Sequence, residues 1–225
     1  MPLTERRLAR IREVAARRQL DVTVVIENVH DPHNVGAVMR TCESVGITEI
    51  HVIYTDPRLL KRGLQIGKKS NAGARRWIDL HVYDDVDHCL CRVKERYGRI
   101  LGTHLGQSSV HYFDVDMTAP FALLLGNEHE GLSEKAMQYV DANIYIPQVG
   151  MVQSLNISVS CAVILYEMFR QRYRSGMYEP KNLHTSSAHA EVYREYLRRH
   201  EEGYTGKRAF AHLIHRDALP ISEKD

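Results

Sequence analysis

The chain has 225 residues, of which 44% are hydrophobic and 26% charged, and its net charge is only +2. This is the composition of an ordinary soluble domain with room for one good core plus terminal extensions. Near-neutrality means that any charged partner must be inferred from where the charges sit.

Cys42, Cys89, Cys91 and Cys161 are scattered with no C-x-x-C spacing, which argues against a disulfide framework or a zinc knuckle. Reduced thiols and a cytoplasmic location are the simpler expectation. No apolar stretch near the N-terminus is long enough for a signal peptide or a membrane span, and Glu5 and Glu13 argue against a transit peptide.

In chain order, residues 4–18 predict a helix, with Leu8, Ile11 and Val14 at helical spacing and Thr4 as its N-cap. Six arginines against two glutamates make it a basic arm. The β-branched run 22–26 predicts a buried strand, Asp31-Pro32 breaks it, and 34–45 predicts a helix stopped by Gly46. Residues 47–54 alternate like a strand. The stretch 57–78 holds seven basic residues (Arg58, Lys61, Arg62, Lys68, Lys69, Arg75 and Arg76) and no acid, and its glycines make part of it a loop.

Strands are predicted at 77–82, 99–105, 121–125 and 143–146, with an amphipathic helix at 86–97 and a short one at 132–139. A long apolar helix opening at Ser154 runs to about residue 174, ended by Gly176 and Pro180. Residues 181–225 read as a charged extension of two helices. Strands alternating with helices predict an α/β domain over residues 20–178, between a basic arm at 1–19 and an extension at 179–225.

Three junctions between a strand and a helix carry polar residues that a packed core does not need: Asn34-Val-Gly-Ala-Val-Met-Arg-Thr41, Gly126-Asn-Glu-His-Glu-Gly-Leu-Ser133 and Ile146-Pro-Gln-Val-Gly-Met-Val-Gln-Ser-Leu-Asn-Ile-Ser158. Taken singly, each has a plain reading: Asn34 as an N-cap with a solvated Arg40, a loop capped by Ser133, and a helix capped by Ser154. The last leaves Asn156 and residues 150–153 unexplained. Three such junctions in one small chain suggest one composite ligand site at strand ends. The nucleotide fingerprints G-x-G-x-x-G and G-x-x-x-x-G-K-[ST] and the nucleophile elbow G-x-S-x-G are all missing. His30-x-x-His33 offers two metal ligands without a third nearby, so no metal is expected. The acid-free basic stretch beside the candidate site, with the basic arm, favours RNA as the partner.

In this order and spacing the three segments resemble the motifs of the TrmH family of RNA 2′-O-ribose methyltransferases, within the SPOUT superfamily. The likeness covers residues 20–178, including Gly176-Met-Tyr178. The basic N-terminal helix and helical C-terminal extension look most like family members acting on guanosine 18 of the tRNA D-loop. The rRNA-directed relatives usually carry a separate N-terminal RNA-binding domain.

The resemblance implies a SPOUT-type α/β fold with a C-terminal trefoil knot around residues 125–170, and a homodimer with its active site at the subunit interface. It also implies S-adenosylmethionine bound around Thr103, Gly126, Ile146 and Leu155. Arg40 would assist deprotonation of the ribose 2′-OH, with Asn34, Glu128, Ser154 and Asn156 positioning ribose, Arg40 and cofactor loops. Gln148 stands where many relatives have methionine. How Arg40 acts is left open, since a free guanidinium is a poor base. The alternatives are methylation of rRNA or of another tRNA position, a non-catalytic RNA-binding protein on the same fold, and a small-molecule enzyme of doubly wound type.

Overall fold

The computed structural model describes residues 3–66, 71–104, 106, 108–127, 130–152, 154–184 and 187–202, and the backbone of 214–216. The strands are β1 (Val22–Glu27), β2 (Glu49–Ile53), β3 (Asp79–Tyr83), β4 (Ile100–Thr103), β5 (Val110–His111), β6 (Phe121–Leu125), β7 (Ala142–Tyr145) and β8 (Ile214–Arg216). They form one sheet in the order β5-β7-β4-β6-β1-β2-β3-β8, and every pairing is parallel. The helices are α1 (Glu5–Ala15), α2 (Pro32–Ser44), α3 (Pro57–Arg62), α4 (Val86–Tyr97), α5 (Glu134–Met137), α6 (Ile157–Arg174) and α7 (Ala188–Glu201).

A parallel sheet covered on both faces requires strands that are apolar throughout, and β1 and β6 are buried along their whole length. The two-residue period sorts their side chains. Val22, Val24 and Ile26 join Leu123, Leu125, Ile50 and Val52 under α2 and α6. Val25, Ala122, Leu124 and Ile53 face α4 and α5 instead. A third cluster joins Ile11 and Ala15 of α1 to Tyr196 of α7, with Trp77 packed against it.

Two helix starts differ from expectation. Asp31, not Asn34, caps α2, accepting from His33 N at 2.8 Å, and Pro32 occupies the first turn. The Asp31-Pro32 pair begins this helix, because proline's fixed φ and missing N–H suit a first turn. Asn156, not Ser154, caps α6, accepting from Ser158 N at 2.9 Å. Thr4 and Ser133 cap α1 and α5 as expected. Within 57–78 a short helix, α3, precedes the loop. Among the described residues, the extension after 181 holds one helix and a strand, β8, that adds to the sheet edge beside β3.

Arg172, fully buried near the end of α6, ties that helix to the amino-terminal end of the sheet. It donates to Asp21 (2.6 Å), Gln19 Oε1 (3.0 Å) and the carbonyls of Met117 (2.9 Å) and Ala119 (3.0 Å). Past α6, Gly176 adopts φ +72°, and Tyr178 donates to Val45 O at 2.6 Å. The segment after α6 is thereby fixed to the end of α2.

Candidate active site

In an open parallel sheet, ligands bind beyond the carboxyl ends of the strands. Here β4 ends at Thr103, β6 runs into Gly126 and β7 runs into Ile146. These ends surround a cavity of about 400 Å³, within the usual range of small-ligand sites. Ile144, Ile157 and Ile164 give it apolar walls, while Thr103, Gln148, Ser154, Asn156 and Ser160 give it polar ones. No Asp, Glu, Lys or Arg among the described residues lines it.

Thr103, Gly126, Ile146, Leu155, Ser154 and Asn156, drawn from four separate parts of the chain, all line this one cavity. Glu128 lies outside the described residues. Asn34 and Arg40 are not in the lining but on α2 beside it. Asn34 is buried in the first turn and accepts from Asn156 Nδ2 at 3.1 Å. Its backbone N–H bonds Asp31 O at 3.0 Å. Arg40 follows about 9 Å further along the axis. It is exposed and makes no hydrogen bond or ion pair among the described residues.

Asn156 joins the two helices through both ends of its amide. Its Oδ1 accepts from Ser158 N (2.9 Å) and Ser158 Oγ (2.6 Å), capping α6, while its Nδ2 holds Asn34. Asn156 therefore fixes the first turn of α2 against the first turn of α6. Ser154 is exposed at the rim, and its hydroxyl has no hydrogen-bond partner among the described residues. Gln148 spans the intervening loop. With its amide oriented to suit its neighbours, it donates to Val152 O (3.0 Å) and accepts from Leu155 N (3.2 Å).

Two described residues of the second motif lie close together. Asn127 and Gly131 exchange both backbone hydrogen bonds at 3.1 Å, and Asn127 Oδ1 accepts from Glu130 N at 2.8 Å. A Cβ on Gly126 would lie 2.1 Å from Gly131 C, so only glycine lets the loop fold back here. Sequence reasoning passed over Glu27, which is buried at the end of β1 and accepts from Ser133 N (3.0 Å) and Ser133 Oγ (2.6 Å). Its signal was a carboxylate directly after an apolar strand. Ser160 and Ile164 were also passed over, although with Ile157 they follow the 3–4 spacing of one helix face. His104 and Tyr145 complete the rim and carried no comparable signal.

His30 lies 3.7 Å from Asp56, and the described residues contain no group of three side chains fit to hold a metal. None of the described helices is long and apolar enough to cross a membrane.

Residues 21–166 match the SpoU rRNA Methylase family. The tRNA (guanosine(18)-2'-O)-methyltransferase of Thermus thermophilus is 42% identical over 180 residues, which is 80% of this chain and 90% of that protein. Among solved structures, the TrmH/SpoU tRNA modifying enzyme of A. aeolicus superposes with a TM-score of 0.77 at 34% identity, covering 89% of this chain and 98% of that one. The SpoU methyltransferase AviRb from Streptomyces viridochromogenes, in complex with the cofactor AdoMet, superposes with a TM-score of 0.58 at 25% identity, covering 71% and 64%. A parallel α/β sheet whose carboxyl ends carry a cavity lined by the second and third motifs, with the first beside it, together with this match places the chain in an RNA-methylating class. The chain belongs to the SpoU methylase family.

Proposed function

We propose that this chain transfers a methyl group from S-adenosylmethionine to the ribose 2′-oxygen of guanosine 18 in tRNA. The observation that carries this reading is that the second and third motif segments line one cavity, with the first held beside it through the Asn34–Asn156 bond, in a chain 42% identical to a guanosine-18 enzyme across 90% of that enzyme's length.

The cavity suits the cofactor. Its size matches a small ligand, its lining is neutral among the described residues, and the Gly126 turn lets backbone groups approach closely. Thr103, Gly126, Ile146 and Leu155 would hold it. When bound, S-adenosylmethionine supplies a methyl group already activated by its sulfonium. The protein is then left to orient the 2′-OH and manage its proton.

Ser154, at the rim with an uncommitted hydroxyl, orients the ribose. The Asn34–Asn156 bond holds the two helices around it, and Glu128 supports the same loops by its motif position. A guanidinium is a poor base, so Arg40 is not given the role of taking the proton. It acts electrostatically, stabilising the developing 2′-alkoxide and drawing in the substrate phosphate.

We further read the protein as a cytoplasmic homodimer, with a core at 20–178 between two terminal extensions. Exposed apolar residues on α6 (Val159, Tyr166 and Tyr173) and on the 149–152 loop support self-association. The exposure of Arg40 supports a site completed at that interface. β7 enters the sheet between β4 and β5, both of which precede it in the chain, and this insertion supports the knotted connection the family likeness implies.

The test is to incubate the protein with unmodified tRNA transcript and methyl-labelled S-adenosylmethionine, and to map the product by nuclease digestion and mass spectrometry. A 2′-O-methylguanosine at position 18, absent with Arg40→Ala, is the expected result. No label in tRNA with cofactor binding intact would move the substrate to rRNA. No cofactor binding at all would overturn the enzyme reading.

A further inference from the structure

Beside the cavity, on the sheet edge, a short series of aromatic rings runs out to solvent. Tyr145 lines the cavity and meets His111 edge-on, with centroids 5.5 Å apart. His111 stacks on Phe113 at 4.8 Å and 30°, and Phe113 lies 4.2 Å from Tyr112. Tyr112 is buried, but Phe113 at the end of the series is 57% exposed.

The series is held in place. His111 Nδ1 accepts from Phe113 N at 3.1 Å and caps the 3-10 turn Tyr112–Asp114. Just beyond, Gln171 of α6 donates to Val115 O at 3.0 Å and accepts from Met117 N at 2.8 Å. A fixed, solvent-facing phenyl ring contributes little to the core.

We propose that Phe113, backed by His111, is a stacking platform for an unpaired nucleobase of the RNA substrate, flanking the nucleotide whose ribose enters the cavity. This rests on the RNA-methyltransferase reading above and adds a specificity element to it. Single-stranded RNA is recognised chiefly by stacking splayed bases on aromatic rings, and one ring accommodates one base. The platform's size fits that occupant better than a second copy of this chain. A single Phe presents no more than ~250 Å², whereas a stable interface takes ~800 Å² per partner. The neighbouring Asp114 is exposed, so the patch does not attract phosphate, and its contribution is independent of salt.

The test compares wild type with Phe113→Ala and Phe113→Trp. It measures steady-state methyl transfer to tRNA transcript, tRNA binding across a salt series, and S-adenosylmethionine binding by calorimetry. Phe113→Ala is expected to raise KM and Kd for tRNA about 5- to 100-fold, from the known strength of base–aromatic stacking. Its salt slope and cofactor affinity stay at wild-type values, and Phe113→Trp retains wild-type KM. Unchanged tRNA affinity in Phe113→Ala, with the wild type active, overturns the platform while leaving the enzyme reading intact. A shift of Phe113→Ala from dimer to monomer in sedimentation overturns it in favour of a subunit contact. A wild type that methylates no RNA overturns the underlying reading itself.

Discussion

Arg40 and Gly126 fail in different ways when changed. Arg40 is exposed and unpaired among the described residues, so Arg40→Ala leaves nothing buried unsatisfied. The expected outcome is a fall in single-turnover methyl transfer of about 100- to 1000-fold, with stability within about 0.5 kcal/mol of wild type. Thermal melting beside the rate measurement checks both, and a large loss of stability would recast Arg40 as a structural residue. Gly126→Ala places a methyl 2.1 Å from Gly131 C, and backbone cannot rotate away as a side chain would. We expect a loss of about 3 kcal/mol by denaturant titration and S-adenosylmethionine affinity weakened at least about tenfold. Cofactor affinity equal to wild type would remove the 126–133 loop from the binding site. Gly126, Ser154 and Asn156 were legible because small or amide residues between an apolar strand and a helix have no packing purpose. Glu27 was not, since only the fold brings Ser133 to it across 106 positions.

Helix starts carried the largest misreading at the scale of elements. Asn34 and Ser154 both have good capping chemistry, but each lies near a better-placed cap, Asp31 or Asn156. That displacement frees Asn34 to meet Asn156. Asn156→Asp keeps the cap acceptor and loses the donor to Asn34. We therefore expect α6 and overall stability to be nearly retained while methyl transfer falls, read by circular dichroism and by kcat. A collapse of stability instead would make the amide pair a folding contact only. The alternating strand at 47–54 was legible as a strand, but its polar face was not legible as buried. Glu49, His51 and His81 pack under α4, with Glu49 accepting from His81 (3.1 Å), Arg96 (3.0 Å) and Tyr97. Burial alone would raise Glu49, but the hydrogen bonds from His81 and Tyr97 and the charge of Arg96 hold it at about 2. Burial, with the charge of His81, pushes His51 down to about 3. Both groups bind fewer protons folded than unfolded, so both make stability rise with pH. The His51 contribution is complete above its ordinary value near 6.5 and is lost as pH falls towards 3; that of Glu49 is lost between about 4.5 and 2. His51→Phe keeps a ring between His81 and Tyr83 and removes one proton site. Its stability is expected to fall less between pH 7.5 and 4.5 than that of wild type, by urea titration at each pH; equal slopes would show that His51 does not titrate with unfolding.

For the whole molecule, local patterns give strands and helices but not their order in space. Nothing in the apolar run at 121–125 shows that it pairs with β1 on one side and β4 on the other. The two-residue β5 and the strand β8 are too short, or too polar, to stand out at all. Surface exposure is equally illegible, because the first half of α6 is apolar nearly all round. In the fold, Val159, Tyr166 and Tyr173 recur every seventh residue along its outer side and remain exposed, a stripe that keeps facing one way. Tyr166 stands against Ser44 of α2 at 3.3 Å, which puts the stripe alongside the helix that carries Arg40. Val149 and Met151 are fully exposed on the loop at the cavity's rim. One partner subunit laid across this face would cover the stripe and reach the cavity mouth together. The double variant Val159→Glu with Tyr166→Glu would bury two unpaired carboxylates in such an interface, each costing several kcal/mol. It should sediment as a monomer where the wild type is a dimer, and bind S-adenosylmethionine less well only to the extent that the partner closes the rim. Methyl transfer should fall as far as in Arg40→Ala, because Arg40 would lose its place opposite the cavity. A double variant that is monomeric yet fully active would show that one subunit holds a complete site. A wild type that is itself monomeric at micromolar concentration would leave the α6 stripe without a partner and remove the interface from the mechanism.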